Sequence, residues 1–181
     1  MGKKKDKLSA FDQRSHEIRD PVHNFIKLES PERLILNCPA FQRLRDVHQL
    51  AMTYLVYPGA THTRFEHSLG VMELATRIYD TVTASENIRH DSVKRVVPKH
   101  GSFDHQYWRR VLRMAALCHD IGHLPFSHAA EEELLPEGKR HEDLSLGLIL
   151  SSAMEPFWEE LNISAQHVGN WLLDQNILRN Y

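Results

Sequence analysis

Apolar residues recur with a helical period along most of the chain. The clearest case runs from Thr63 to about Ala84, where every third or fourth residue is apolar. Its predicted inner stripe comprises Phe65, Leu69, Met72, Ala75, Tyr79 and Val82. The first four residues, TRFE, have the form of a capping box, which predicts that the helix begins here. A second helix, over about 105–120, ends in a nearly continuous apolar run and is expected to be buried.

The rest of the chain predicts shorter elements. DPVHNFIKL (20–28) alternates weakly after a proline, which predicts a short strand or hairpin. Further helices are predicted over 30–36, from Pro39 with Phe41, Leu44, Val47 and Leu50 on one face, from a Ser127 cap to Leu135, and over 141–153, 156–161 and 164–175. Residues 85–104 are polar and predict a long loop. The expected fold class is all-α with a short N-terminal β-hairpin or strand.

Composition narrows the class of protein. A chain of 181 residues predicts one domain with a sizeable core, and residues 1–19 read as a flexible tail. The net charge of −2 does not indicate nucleic-acid binding, although a local basic patch stays open. The sequence has no apolar run of about 18 residues, so no membrane span is expected. The basic start lacks an apolar segment and the two cysteines are far apart, which predicts a cytoplasmic protein, or a nuclear one in a eukaryote.

Thirteen histidines are many for this length, and several fall in ALCHDIGHLPFSH (116–128). His119 and Asp120 end the buried helix there, next to the helix breakers Gly122 and Pro125. An imidazole and a carboxylate on a rigid base suit a divalent cation, although an isolated His-Asp pair is more often a surface cap. Outside this region we expect His16, His90, His100 and His105 to be incidental, His48 and His167 to serve packing, and His23 and His62 to make structural hydrogen bonds. Trp108, Trp158 and Trp171 are expected in the core.

Four stretches carry a family resemblance: DPVHNFIKL, CPAFQRLRDVHQL, YPGATHTRFEHSLGV and LCHDIGHLPFSH. They resemble the deoxynucleoside triphosphate (dNTP) triphosphohydrolases, a branch of the HD-domain phosphohydrolases that includes bacterial deoxyguanosine triphosphatases. The resemblance covers about residues 20–145 and implies an HD-domain fold over 20–181. It implies hydrolysis of a dNTP to deoxynucleoside and triphosphate, by attack of metal-activated water on the α-phosphorus. The implied cofactor is a divalent metal (Mn, Fe, Zn or Mg), with additional Mg on the triphosphate.

The resemblance also implies residue roles. The metal ligands are His67, His119 and Asp120. The catalytic residues are His123, His128, Glu131 and His141, with His141 assisting the leaving group. The substrate-binding residues are Arg64 for the triphosphate, Gln49 for the sugar 3′-hydroxyl, Tyr54 and Glu142. Glu131 stands where the family usually has an aspartate.

Two departures from the family pattern bear on function. The glycine-rich stretch expected after Gln49 is Leu-Ala-Met-Thr (50–53), which leaves the sugar preference open. The family's fourth metal ligand is an aspartate on a later helix, and the only later candidates are Asp143, which is too close, and Asp174. The site is therefore expected to be incomplete. The HD domain would then lack its C-terminal part, be completed by a partner chain or second subunit in a homo-oligomer, or be degenerate; we favour the first two.

Two other functions stay open at this point. The His-Asp pair alone permits another HD phosphohydrolase, such as a cyclic-nucleotide phosphodiesterase, a (p)ppGpp hydrolase or a nuclease. The missing aspartate permits a module that binds nucleotides or assembles with partners without turnover.

Overall fold

The computed structural model describes residues 16–126 and 128–178, with side chains as far as residue 173. A hairpin opens this part of the chain, pairing β1 (His16–Asp20) antiparallel with β2 (Asn24–Leu28). Ile18 lies opposite Ile26, and Ile26 is fully buried in the core. The first strand thus begins four residues before the predicted end of the tail, because its pairing with β2 orders it. The predicted Ser127 cap lies outside the described residues.

Helices make up most of the remaining described chain, so the predicted fold class is confirmed. They are α1 (Glu32–Leu36), α2 (Pro39–Gln42), α3 (Arg64–Val82), α4 (Asp91–Lys94), α5 (Phe103–Cys118), α6 (His128–Leu134), α7 (His141–Ile149), α8 (Glu155–Leu161) and α9 (Ala165–Leu178). Two 3₁₀ turns, Arg43–Asp46 and Thr53–Leu55, lie between α2 and α3. The predicted capping box is present at the start of α3, where the Thr63 amide donates to Glu66 at 2.9 Å.

The predicted helix from Pro39 through Leu50 is wrong after residue 46. Backbone at Val47 is extended, and the next residue, His48, forms an isolated β-bridge with Thr63. The Arg64 amide donates to the Val47 carbonyl at 2.8 Å, so this short pairing holds the chain beside the start of α3. Leu50 is consequently exposed rather than part of an inner stripe. The loop predicted over 85–104 contains the single turn α4.

Packing of α3 against α5 forms the centre of the core, where Met72, Met114 and Leu117 are fully buried. The buried face of α3 continues through Thr76, and Val82 at the end of the helix is exposed, contrary to its predicted place in the inner stripe. The tryptophan prediction holds for Trp158, whose indole donates to the Ile149 carbonyl at 2.8 Å. The prediction is wrong for Trp171, which is 39% exposed because it lies on the outer face of α9.

A buried ion pair fastens the hairpin and α1 to this core. Arg113 on α5 donates to both carboxylate oxygens of Glu32 at 2.6 and 2.7 Å, and both side chains are almost completely buried. The same guanidinium donates to the Thr76 hydroxyl and to the Lys27 carbonyl at 2.7 and 2.9 Å. Four elements therefore meet at one cation, β2, α1, α3 and α5, and the pair is fully hydrogen-bonded, as a buried charge requires.

None of the helices in the described part of the chain combines the length and apolar character needed to cross a membrane.

Candidate active site

Three predicted metal ligands come together where α3 begins and α5 ends. His67 lies in the first turn of α3, and His119 and Asp120 follow directly after α5. The Nε2 atoms of His67 and His119 lie 3.8 and 3.3 Å from the two carboxylate oxygens of Asp120. One potential ligand atom from each of the three residues lies within 4.8 Å of the other two, a spacing that suits a single metal ion.

The protonation states of these side chains fit a divalent metal. His119 Nδ1 lies 2.8 Å from the Ala116 carbonyl, a contact that places the proton on Nδ1 and leaves the Nε2 lone pair facing Asp120. Burial, and then the neighbouring His119, lower the pKa of His67, which keeps its imidazole neutral. Burial raises the pKa of Asp120, but His119 and Arg64 outweigh it and lower the pKa overall, so the carboxylate is ionised. Two imidazoles and one carboxylate form a typical donor set for a transition metal.

Arg64 lies beside the predicted metal ligands. Its side chain is 4% exposed, and its Nη1 donates to Asp120 Oδ2. The guanidinium therefore fixes the orientation of the Asp120 carboxylate. Its predicted contact with a triphosphate stays a prediction.

The four residues predicted as catalytic form a second cluster around Glu131. Glu131 Oε1 lies 2.9 Å from His141 Nδ1, 3.1 Å from His128 Nδ1 and 3.7 Å from His123 Nδ1. The rings of His123 and His141 stack with centroids 3.9 Å apart. Glutamate thus reaches the histidine that the family usually orients with an aspartate, because α6 carries it directly over His141.

The two clusters adjoin each other across Asp120 and His141. His141 Nε2 lies 3.8 Å from Asp120 Oδ1, while its Nδ1 faces Glu131 and also lies 3.2 Å from Glu142 Oε2. The predicted substrate residue Glu142 therefore lies beside His141, the predicted catalytic histidine. The two clusters thus share one small volume.

His123 is the most deeply buried of these histidines, at 1% exposure. Burial, followed by the nearby His141 and Arg64, lowers its pKa to about 3. It is therefore neutral at physiological pH and acts as a hydrogen-bonding group or ligand rather than as a charge. Its Nδ1 atom is buried and has no hydrogen-bond partner among the described residues.

Gln49 and Tyr54 are positioned by the segment that precedes α3. The Gln49 amide donates to the His62 carbonyl at 3.0 Å, and Tyr54 stacks on His48 with ring centroids 4.4 Å apart. Neither residue contacts the two histidine clusters through a described hydrogen bond, so their sugar-binding roles stay predictions. The side chain of Asp174 lies outside the described residues.

Two residues that support the site, Arg43 and Ser145, were missed from the sequence. Arg43 donates to the His123 carbonyl at 2.6 Å and to the Ile121 carbonyl, which clamps the loop between the clusters. Ser145 Oγ donates to the His119 carbonyl and accepts from the Gly122 amide, both at 2.9 Å. An arginine or a serine that binds backbone groups cannot be distinguished by sequence alone from one that lies on the surface.

The prediction that His105 is incidental is wrong. The residue is buried on α5, and its Nε2 lies 2.9 Å from the Thr83 hydroxyl.

Comparison with known proteins identifies the family. The profile of the HD domain matches residues 64–177, which include both histidine clusters. The chain therefore belongs to the HD-domain family, and its resemblance to the dNTP triphosphohydrolase branch is confirmed.

Relatives span archaea and animals. The chain is 41% identical over 114 residues to an uncharacterised protein of Methanocaldococcus jannaschii, covering 63% of this chain and 20% of that protein. It is 36% identical over 135 residues to the deoxynucleoside triphosphate triphosphohydrolase SAMHD1 of Bos taurus, and 34% identical over 155 residues to that of Homo sapiens. These matches cover 75% and 81% of this chain but 21% and 23% of the relatives. The chain thus spans about a fifth to a quarter of the length of these relatives.

A solved structure shares the fold. The crystal structure of a hypothetical protein from Aquifex aeolicus superposes with a TM-score of 0.66 at 31% sequence identity. The match covers 88% of this chain and 37% of that chain.

Proposed function

We propose that the chain carries the metal-binding and proton-transfer part of a dNTP triphosphohydrolase site, which releases intact triphosphate from the nucleoside. The observation that carries the proposal is the 3.8 Å approach of His141 Nε2 to Asp120 Oδ1. Because of this approach, the histidine that could protonate a leaving oxygen adjoins the carboxylate that would hold the metal. Relatives named for this activity match 75% and 81% of the chain.

The metal would be held by His67, His119 and Asp120. When bound, a divalent ion supplies Lewis-acid polarisation of a phosphate oxygen and of an attacking water. Manganese, iron, zinc and magnesium all remain consistent with two imidazoles and a carboxylate, and further magnesium would accompany the triphosphate. Among the residues with described side chains, these three are the ligands that converge at this point.

His141 is the residue proposed to move a proton. Glu131 lies 2.9 Å from its Nδ1 and stabilises a proton there, which leaves Nε2 directed toward Asp120. A proton carried on Nε2 can then pass to the departing oxygen, and Glu131 stabilises the imidazolium that carries it. His128 is 72% exposed at the mouth of this cluster, where its ring can meet phosphate oxygens, and buried neutral His123 supports the stack from below.

Four further residues would bind the substrate. Gln49 and Tyr54 would meet the sugar, Arg64 would hold Asp120 and approach the phosphates, and Glu142 would face the same cleft. A second copy of the chain, a partner chain or further sequence would complete the pocket and supply a fourth metal ligand. This expectation rests on the three-ligand cluster and on the greater length of the relatives.

The test is product analysis. The chain, and any longer protein that contains it, is incubated with Mn²⁺ and each dNTP, and the products are separated by ion-exchange chromatography. Tripolyphosphate and deoxynucleoside are expected, and His141→Ala should abolish both although it leaves His67, His119 and Asp120 in place. Release of pyrophosphate, or cleavage of phosphodiesters without dNTP turnover, would instead identify another HD phosphohydrolase. Binding of dNTP with no product from any form would identify a non-catalytic module.

A further inference from the structure

We propose that His123, His128, Glu131 and His141 form a second transition-metal site, separate from the cluster of His67, His119 and Asp120. One ligand atom from each of the four residues lies within 4.8 Å of every other. The site would take a borderline-soft ion such as Zn²⁺ or Co²⁺, for which three imidazoles and one carboxylate are a favourable donor set.

Distances inside the cluster match tetrahedral coordination. Metal–ligand bonds of about 2.0–2.2 Å place neighbouring ligand atoms of a tetrahedral zinc site about 3.3–3.6 Å apart. The three imidazole Nδ1 atoms lie 2.9, 3.1 and 3.7 Å from Glu131 Oε1, on both sides of that range. Ligand movements of a few tenths of an ångström would therefore suffice to close the site on an ion.

The buried Nδ1 atom of His123 points to a ligand. It belongs to the least exposed histidine of the cluster, it lies 3.7 Å from Glu131 Oε1, and it has no hydrogen-bond partner among the described residues. A buried polar atom without a partner is costly, and a metal ion would satisfy it. The same ion would resolve the crowding of three imidazole nitrogens around one carboxylate oxygen, which cannot accept three good hydrogen bonds at once.

An entry path reaches the cluster. An open cleft of about 570 Å³ is lined by His128, Glu131 and His141 together with Lys139 and Glu142. His128 is 72% exposed at its edge, while Glu131 and His141 are each 8% exposed beneath it. An ion arriving from solvent would meet His128 first and the buried ligands next.

Occupation of this site has a consequence that rests on the proposed function. A metal on His141 Nδ1 would replace the proton that Glu131 now stabilises there. Glu131 could then no longer stabilise an imidazolium at His141, so zinc at this site would inhibit proton transfer. Binding itself requires no turnover, so it can be tested independently of the reaction.

The experiment measures metal binding alone. The full chain is stripped with a chelator, dialysed against buffered Zn²⁺, and analysed for zinc per chain by elemental analysis. Two ions per chain are expected for the natural sequence, one for His128→Ala and one for His67→Ala. Because His128 is exposed, its replacement leaves the core intact, and circular dichroism verifies the fold.

A control variant and a spectrum separate the two sites. His90→Ala removes an exposed histidine distant in sequence from both clusters and should keep two ions. With Co²⁺, His128→Ala should lose the visible d–d absorption of one four-coordinate ion, and Glu131→Gln should do the same. Equal zinc contents in the natural chain and in His128→Ala would overturn the proposal, whether or not the chain hydrolyses dNTPs.

Discussion

Gly122 lies so close to the backbone of His141 that a Cβ atom at Gly122 would stand 2.6 Å from the His141 carbonyl oxygen. The same Cβ would stand 2.2 Å from the Ser145 amide nitrogen. Real Cβ atoms do not approach backbone this closely, so only glycine lets the loop after α5 rest on α7. This contact sets the spacing between the His119–Asp120 segment and His141.

Gly122→Ala is therefore expected to damage both stability and activity. Overpacking of this kind costs about 1–3 kcal/mol, and here the obstacle is backbone that cannot turn aside. Urea unfolding measures the loss, and product analysis should show dNTP hydrolysis falling with it. Gly147→Ala is the matched control on α7, because its Cβ would meet nothing within 4 Å among the described residues. That change should stabilise the helix by about 0.5–1 kcal/mol. Equal stability of the two variants would contradict the close contact.

Removal of a metal ligand should abolish metal-linked stability. A ligand that binds only the folded state adds about 2.7 kcal/mol at a concentration 100 times its dissociation constant. Thermal unfolding of the natural chain should therefore shift upward when Mn²⁺ is added after chelation. His67→Ala, at a half-buried position, should unfold at the same temperature with and without Mn²⁺. His62→Ala alters an exposed neighbour and should keep the shift. A shift retained by His67→Ala would remove this histidine from the site.

The buried ion pair of Glu32 and Arg113 predicts a large loss for Glu32→Gln. An unpaired guanidinium left in the core costs about 3–5 kcal/mol. Glu73→Gln removes a partner of the exposed Arg77, a helix pair 2.8 Å apart, and should cost at most about 0.5 kcal/mol. Chemical denaturation of both variants at neutral pH gives the comparison. A loss below about 1 kcal/mol for Glu32→Gln would show that water reaches Arg113.

His105 predicts a pH dependence of stability away from the metal site. Burial, followed by the neighbouring His100, lowers its pKa from the ordinary 6.5 in the folded protein. The unfolded chain therefore binds a proton first as the pH falls below 6.5, and the folded state loses stability in that window. The loss from one such group is at most about 1.4 kcal/mol per pH unit. Urea unfolding at about pH 7.5, 6.5 and 5.5 brackets the ordinary pKa of histidine. Between these pH values His105→Gln should lose less unfolding free energy than the natural chain. His90→Gln, in an exposed loop, should behave as the natural chain.

Local patterns predicted the parts of the site that depend on neighbours in sequence. The capping box fixed the start of α3 and with it the position of His67, and the helix breakers after Asp120 placed the His-Asp pair at the end of α5. The motif resemblance implied that Glu131 orients His141, and the two side chains lie 2.9 Å apart; the role itself stays a prediction. The substitution of glutamate for aspartate was visible in the sequence, but its reach to three histidines was not.

Contacts between distant segments account for what the sequence did not reveal. The burial of His105 depends on α3, through Thr83 and Tyr79. The end of the Pro39 helix depends on the β-bridge to Thr63, which outweighs the helical period. Periodicity reports which face a helix buries but not where tertiary pairing interrupts it.

The clamp from Arg43 ties the active-site loop to a part of the chain that lies 78 and 80 residues earlier. Closing so long a loop is entropically unfavourable and slow compared with forming a helix. We therefore expect the loop carrying His119 to His123 to take its final shape only after the segment with Arg43 has docked. Fragments that begin after Arg43 should then form helices while this loop remains unfixed.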